Sequence, residues 1–314
     1  MNPIRRLIVP FGRDGAADRV ARRLSRTFAG RGIELVVENH PGDGGLTGVA
    51  FAAGATDTLL FGTSTLACIA PQLQPKRVCS LRKAFAAVAL IGSIPNVLVV
   101  YPALGVRSVA ELVSLALSRP GALAYASAGC GQTIHLCGAL FAARCGLDLR
   151  HAPYPQGSPL AHPDLLAGRV SMMFESLAAV LAYLTEGRLL ALAVSGTRRS
   201  TLLPGVPTMA EAGVPGFDVD IWFGVHAPKP TPAAVIAHWE RAFGDALADQ
   251  ETRLGLEAIG VTLADGSANA LALAIERDTP RWRDWLGQCG LLPELPPAAP
   301  LAPSSRGTTP ARRG

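Results

Sequence analysis

The feature that most constrains this chain is the alternation of short apolar runs with segments of helical periodicity. Residues 7–9 form a strand-like run, and Val20, Leu24 and Phe28 then recur every four residues, as on one face of a helix. The same alternation continues along the chain, and it is typical of parallel sheets flanked by helices. The 314 residues are enough for two such sheets, each with its own core.

We therefore predict an α/β fold of two domains, each a mostly parallel sheet flanked by helices. The first crossing between the domains falls near residues 99–101, where a strand run ends, and the return falls near residues 221–224. Domain 1 is then residues 1–100 plus 223–292, and domain 2 is residues 101–222. Residues 293–314 contain six prolines, and we predict a disordered tail there.

Composition excludes several classes of protein. Hydrophobic residues make up 49% of the chain and charged residues 17%, which indicates a mainly packed structure. No apolar run reaches the ~18–20 residues that a membrane span needs. The net charge is +5, but its arginines are scattered, with few aromatic residues among them, so we expect no nucleic-acid partner. The six cysteines form no C-x-x-C pair, and we expect neither a metal nor a cofactor.

Residues 127–136 are the segment most suggestive of binding, because glycine and hydroxyl residues lie there between a strand-like run and an amphipathic helix. Free backbone N–H groups and the positive end of the helix dipole favour an anion at such a place. Residues 10–16 and 62–65 have the same character, also at the carboxyl end of a strand. One such loop alone is explained by a turn and a helix cap, but three predict a convergent anion pocket.

Cys130 and Glu175 each allow an alternative interpretation. Cys130 lies near a helix N-terminus, which can lower the pKa of a thiol, and His135 is close in sequence. A loop-to-helix turn of this length does not fix a thiol–imidazole contact, so we predict packing and capping rather than catalysis. Glu175 ends a strand-like run, where its carboxylate either accepts from a ligand or caps the next helix.

Several further motifs occur in a characteristic order. They are residues 8–11 (IVPF), 15–19 (GAADR), 37–45 (VENHPGDGG), 127–131 (SAGxG), 135–136 (HL), 151–154 (HxPY), 164–168 (DLLxG), 192–194 (LAV), 206–213 (VPTMAEAG) and 222–224 (WFG). In this order and spacing the chain resembles the Bug (Bordetella uptake gene) family, from Ile4 to about Leu291. The members of that family are solute-binding receptors of tripartite tricarboxylate transporters.

The resemblance implies a Venus flytrap of the type II periplasmic binding protein fold, which binds a small carboxylate or related metabolite between its domains and is not an enzyme. It also implies integral membrane subunits of the transporter as partners, and we expect a monomer. In the family, the matching loops hold the carboxylate through backbone N–H groups, hydroxyls and water. The candidate ligand-binding residues are Phe11, Arg13, Gly15, Ala16, Thr63, Ser64, Thr65, Ser127, Gly129, Gly131, Thr133, His135 and Glu175.

The chain departs from the family pattern at several of these positions. Residues 12–15 read GRDG where PPGG is usual, so that Asp14 brings a negative charge near the expected carboxylate and Arg13 offsets it. Cys130 and Glu175 stand where Asn and Asp are common. The family is periplasmic, but the first residues show no signal peptide. A cytoplasmic carboxylate sensor or partner-binding module of the same fold, without transport, is therefore the alternative.

Overall fold

The computed structural model describes residues 4–75 and 81–293, and strands and helices alternate along it. The strands are β1 (Arg6–Val9), β2 (Val36–Asn39), β3 (Thr58–Thr63), β4 (Phe85–Val100), β5 (Ala124–Ser127), β6 (Arg150–Pro153), β7 (Met172–Ser176), β8 (Leu190–Val194), β9 (Asp220–Pro228) and β10 (Thr262–Leu263). The helices are α1 (Ala16–Gly30), α2 (Leu46–Ala53), α3 (Ala70–Leu73), α4 (Leu81–Ala84), α5 (Val109–Ser118), α6 (Thr133–Cys145), α7 (His162–Leu166), α8 (Leu177–Thr185), α9 (Ala233–Ala248), α10 (Gln250–Glu257) and α11 (Ala268–Gln288). A π-helical turn, Thr65–Ile69, follows β3. Apart from Pro293, the predicted tail lies outside the described residues.

The long strand β4 belongs to two sheets. The strand order is β2-β1-β3-β9-β4-β7-β5-β6, with β8 and β10 also paired to β4. Through Pro95, β4 pairs with β9, and from Asn96 onward it pairs with β7 and β8. We call residues 4–75, 81–95 and 220–293 the first half, and residues 96–219 the second half. The predicted domain boundaries, which lie a few residues away, stay a prediction.

The combined sheet is mixed rather than mostly parallel. β1 is parallel to β2 and β3, and β5 is parallel to β6 and β7, as strand–helix–strand connections require. The centre is antiparallel, since β9 runs against both β3 and β4, and β4 runs against β7 and β8. The physical reason is the crossing itself, because β4 leads out of the first half and β9 leads back.

Apolar helix faces form the core against these sheets. The predicted face of α1 is confirmed, since Val20, Leu24 and Phe28 are all fully buried. The Phe28 ring makes edge contacts with Trp239 and Phe243 of α9, at centroid distances of 5.7 and 5.0 Å. Such contacts add to the burial of large rings and hold α9 beside α1. No helix within the described ranges is both long and apolar enough to cross a membrane.

The sequence contains two further helix signals: residues 108–111 (SVAE) form a capping-box sequence that predicts a helix start, and Pro280 predicts a kink or an interruption in the last long helix. Ser108 precedes α5 and its Oγ accepts from the Glu111 amide at 3.1 Å, which confirms the predicted capping sequence. The predicted interruption at Pro280 does not occur, since α11 continues through it. A proline removes only one helical donor, and burial of Ile275 and Trp282 on either side of it holds the helix in place.

Candidate ligand-binding site

The three predicted loops come together in the structure. A methyl group at Gly45 would lie 3.1 Å from Leu66 and 3.3 Å from the Phe11 ring, so the first loop abuts the turn that follows β3. The hydroxyls of Thr65 and Thr133 are 2.6 Å apart and buried, which joins that turn to the start of α6. The site therefore contains loops from both halves.

Asp18 fixes the shape of the first loop. Its Oδ2 accepts from the Asp14 amide at 3.0 Å and from Arg22 Nε at 2.9 Å. Its Oδ1 accepts from Asn39 Nδ2, which also donates to the Phe11 carbonyl at 3.1 Å. Burial disfavours the charged carboxylate, but these hydrogen bonds outweigh burial and lower the pKa of Asp18. Asp18 and Asn39 were quoted above only as family motif residues, and here they hold Phe11.

Arg13 and Asp14 point to solvent, while Phe11, Gly15 and Ala16 are half-buried. Asp14 has a φ of +65°, in the left-handed region that glycine occupies most readily. This conformation explains why a glycine-rich loop suits the position. Aspartate is one of the few other residues that tolerate it.

Two hydroxyls of the second loop are buried without a partner. Thr63 Oγ1 and Ser64 Oγ have no hydrogen-bond partner within the described part of the chain, and their residues are 4% and 0% exposed. A buried hydroxyl without a partner costs free energy, so such a group calls for an explanation. A bound molecule that accepts from both hydroxyls is one explanation.

Two candidate donors of the third loop, the amides of Gly129 and Gly131, are already engaged by other groups of the protein. Ser127 Oγ accepts from the Gly129 amide at 3.1 Å and lies 2.7 Å from His151 Nε2. The Gly131 amide donates to Nδ1 of His135 at 3.2 Å. The neutral imidazole of His135 therefore carries its proton on Nε2. In this arrangement the orphan N–H groups of the first turn of α6 remain to serve an anion.

His151 is a member of this cluster that the sequence reasoning missed. Its ring stacks on Tyr125 at a centroid distance of 4.9 Å and packs at a tilt against His135 at 4.2 Å. Burial, assisted by the neighbouring His151, lowers the pKa of His135 to about 4, and burial lowers that of His151. Both rings therefore carry no charge at neutral pH. The sequence marks His151 only as part of the family motif at residues 151–154, because its place beside β5 depends on the register Tyr125–His151.

Glu175 lies inside β7 rather than at its end, because the strand extends to Ser176. Its Oε1 accepts from the Ser176 amide at 2.7 Å, at the residue where α8 begins. Its Oε2 is 3.1 Å from Nε2 of His162, and both side chains are almost fully buried. The carboxylate thus serves the helix start and a buried histidine.

The cysteines show no sign of an activated nucleophile. Burial raises the pKa of Cys68 to about 12 and that of Cys289 to about 11, and it also raises the pKa of Cys137 and Cys145. Cys130 is exposed, and His135 Nδ1 is taken by the Gly131 amide. Cys79 lies outside the described residues. Residues 4–75 and 81–293 contain no group of three or more His, Cys, Asp or Glu residues arranged to hold a metal ion.

A mixed α/β sheet with flanking helices, and loops from two halves meeting at a helix start, define the periplasmic binding protein class. Comparison with known proteins narrows this class. The model of the "Tripartite tricarboxylate transporter family receptor" (TctC) matches residues 17–291. The chain therefore belongs to this family of receptors, and the resemblance seen in the sequence is confirmed.

Three relatives illustrate the match. Protein BugT of Bordetella pertussis (strain Tohama I) is 35% identical over 289 residues, which cover 90% of this chain and 88% of that protein. R. palustris Rpa4515 with adipate is 30% identical, with a TM-score of 0.88 over 92% of this chain and 97% of that one. MatC from Rhodopseudomonas palustris with bound malate is 28% identical, with a TM-score of 0.82 over 90% and 98% of the two chains. Adipate and malate, the molecules in the two solved structures, are both dicarboxylates.

Proposed function

We propose that this protein is a periplasmic solute receptor that captures a small carboxylate between its two halves for a tripartite tricarboxylate-type transporter. The observation that carries the proposal is the pair of buried hydroxyls of Thr63 and Ser64, which have no hydrogen-bond partner in residues 4–75 and 81–293. They lie next to Thr65, whose hydroxyl reaches Thr133 at the start of α6. A carboxylate is the ligand that such donors favour, because it offers only acceptors.

The start of α6 supports the same ligand. The helix has 13 residues, and the N–H groups of its first turn have no intrahelical acceptor. Together with the helix dipole, they favour a negative charge near Thr133. The buried histidines beside the loop carry no charge at neutral pH, so recognition rests on neutral donors and on the dipole.

The comparisons support this proposal through relatives alone. Structures of two relatives contain adipate and malate, and the family name associates its receptors with a transporter. For this chain we infer a small carboxylate as ligand, integral membrane subunits as partners, and binding rather than catalysis. Burial raises the pKa of the Cys68 and Cys289 thiols, so both stay protonated at neutral pH, and a protonated thiol is a poor nucleophile.

The decisive test first identifies a ligand and then removes the two hydroxyls. Thermal unfolding with and without adipate, malate and other di- and tricarboxylates identifies a ligand, because a molecule that binds only the folded state raises the melting temperature. Calorimetry then compares the wild type with the double variant Thr63→Val, Ser64→Ala. We expect each lost hydrogen bond to raise the dissociation constant about 10- to 100-fold, since a hydrogen bond to a charged group contributes about 1.5–3 kcal/mol.

Thr58→Val provides the matched control. Thr58 lies in the same strand and is equally buried, but its hydroxyl donates to the Ala52 carbonyl at 3.3 Å. We expect this variant to lose stability and to keep its affinity. If no carboxylate stabilises the folded protein, the receptor proposal fails. If a ligand binds both variants with wild-type affinity, the hydroxyls of Thr63 and Ser64 do not form the site.

A further inference from the structure

Three consecutive residues at the start of α6 touch three different segments of the first half. We call residues 131–133 the α6 turn. A methyl group at Gly131 would lie 2.8 Å from Leu73 Cδ1, so the backbone approaches α3 closely. Gln132 Nε2 donates to the Gly44 carbonyl at 3.2 Å, and the Thr133 hydroxyl meets that of Thr65. The α6 turn therefore spans the two halves at three points.

Gln132 is the least expected of these contacts. It occupies the N-cap position of α6, where a side chain commonly accepts from the helix's own amides, yet its side chain makes no such bond. The side chain instead extends across to the Asp43–Gly45 turn. Gly44 has a φ of +66°, and a methyl group there would lie 3.1 Å from Gln132 Nε2. Glycine at this position thus gives the amide room to reach the carbonyl.

None of the three contacts requires a bound molecule. Each joins protein atoms directly, and Gln132 lies outside the set of residues assigned above to the ligand. A contact of this kind stabilises the closed arrangement, in which the two halves touch, and it does so equally with and without ligand. A residue that touches the ligand stabilises only the bound state.

We propose that Gln132 is a positioning residue that fastens the two halves together in both the free and the bound protein, and so sets the rates of ligand exchange rather than the affinity. The ligand part of this inference rests on the proposed function. Loss of the contact makes opening more frequent in both states. Entry and exit of the ligand then accelerate together, and their ratio stays nearly constant.

The expected change in the rate constants follows from the loss of one hydrogen bond between neutral, half-exposed groups. Such a bond contributes about 0.5–1.5 kcal/mol, which corresponds to a factor of about 2 to 10 in an equilibrium constant. We therefore expect Gln132→Ala to raise the association and the dissociation rate constants each by about 2- to 10-fold. The dissociation constant should change by less than about twofold. Gln132→Met keeps the approximate length of the side chain but removes the donor without adding a charge, and it should behave in the same way.

The experiment measures adipate exchange by stopped-flow fluorescence on the full chain, together with small-angle scattering of the ligand-free protein. Gln72→Ala is the matched control, because Gln72 Nε2 donates to the carbonyls of Cys68 and Thr279 within the first half. We expect Gln72→Ala to lower the melting temperature without changing either rate constant. In the ligand-free state, Gln132→Ala should give a larger radius of gyration than the wild type and than Gln72→Ala.

Two results would overturn the inference. A change in the dissociation constant with an unaltered association rate would mean that Gln132 contacts the ligand. Unaltered rates together with unaltered scattering would mean that the contact does not hold the halves together. If adipate does not bind the wild type, the scattering comparison alone decides. Failure of the proposed function is then distinct from failure of this inference.

Discussion

His226 gives the most quantitative prediction about stability, because it is a buried histidine whose Nε2 has no partner within the described part of the chain. It lies in β9 between Leu60 of β3 and Ala87 of β4, and it is 2% exposed. Its Nε2 lacks a hydrogen-bond partner among the described residues, and a methyl group at Gly62 would lie 2.8 Å from this nitrogen. Burial lowers the pKa of His226 from 6.5 to about 4.

This pKa makes the fold sensitive to acid. Above pH 6.5 the ring is neutral in both the folded and the unfolded chain, so its full contribution to stability is present. As the pH falls from 6.5 toward 4, the unfolded chain takes up the proton first and stability is lost. A pKa difference between 6.5 and about 4 corresponds to roughly 3 kcal/mol, since one pKa unit is worth about 1.4 kcal/mol. About 2 kcal/mol of this should be gone by pH 5.

The assay is urea unfolding of the wild type and His226→Gln between pH 7 and pH 5. The variant cannot titrate at this position, so the wild type should lose about 2 kcal/mol more over this range. His238→Gln is the control, because His238 is exposed on α9, and it should behave like the wild type. His135 and His151 remain in all three proteins and cancel in the comparison. Equal losses in the wild type and His226→Gln would refute the reasoning.

Two further substitutions test the first loop and the turn beside it. Asp18→Ala removes the acceptor shared by Arg22 and Asn39, and we expect the free energy of unfolding in urea to fall by about 2–3 kcal/mol at neutral pH. The loss should shrink as the pH falls below the unfolded pKa of 3.8, because the unfolded chain takes up the proton first and the native carboxylate follows only at its lower pKa. Gly45→Ala combines a φ of +100° with crowded surroundings, whereas Gly105→Ala has a φ of +81° in open space. We expect Gly45→Ala to cost about 2 kcal/mol and distinctly more than Gly105→Ala, so equal melting temperatures would count against crowding at Gly45.

Sequence patterns predicted those helices whose signals lie within the helix or at its first residues. The periodicity of α1 and the capping sequence at Ser108 both mark helices that the structure contains. The first part of β4, residues 85–95, was not predicted. Two irregularities interrupt its pairing with β9, Gly92 has a φ of +154°, and Pro95 cannot donate, so no steady alternation marks the segment.

The sequence indicated which loops make up the candidate site, but not the hydrogen bonds that connect them. Glycine and hydroxyl residues at strand ends indicated residues 62–65 and 127–133 without any knowledge of their contacts. The pairing of Ser127 with His151, and the reach of Gln132 to Gly44, depend on the register of β6 and on how the halves meet. Sequence periodicity contains neither kind of information.

The start of α6 combines the amides proposed to hold the ligand with contacts between the two halves. The α6 turn presents the first amides of a helix, and the same three residues contact the first half. A ligand held by those amides would therefore lie within a residue or two of these three contacts between the halves. Because Gly131 has a φ of +78° and leaves no room for a side chain beside Leu73, the turn has little freedom to bind a ligand without also meeting the first half. On the proposed function, the groups that hold the ligand and the groups that fasten the halves are then neighbours at one helix start, rather than two sites linked at a distance.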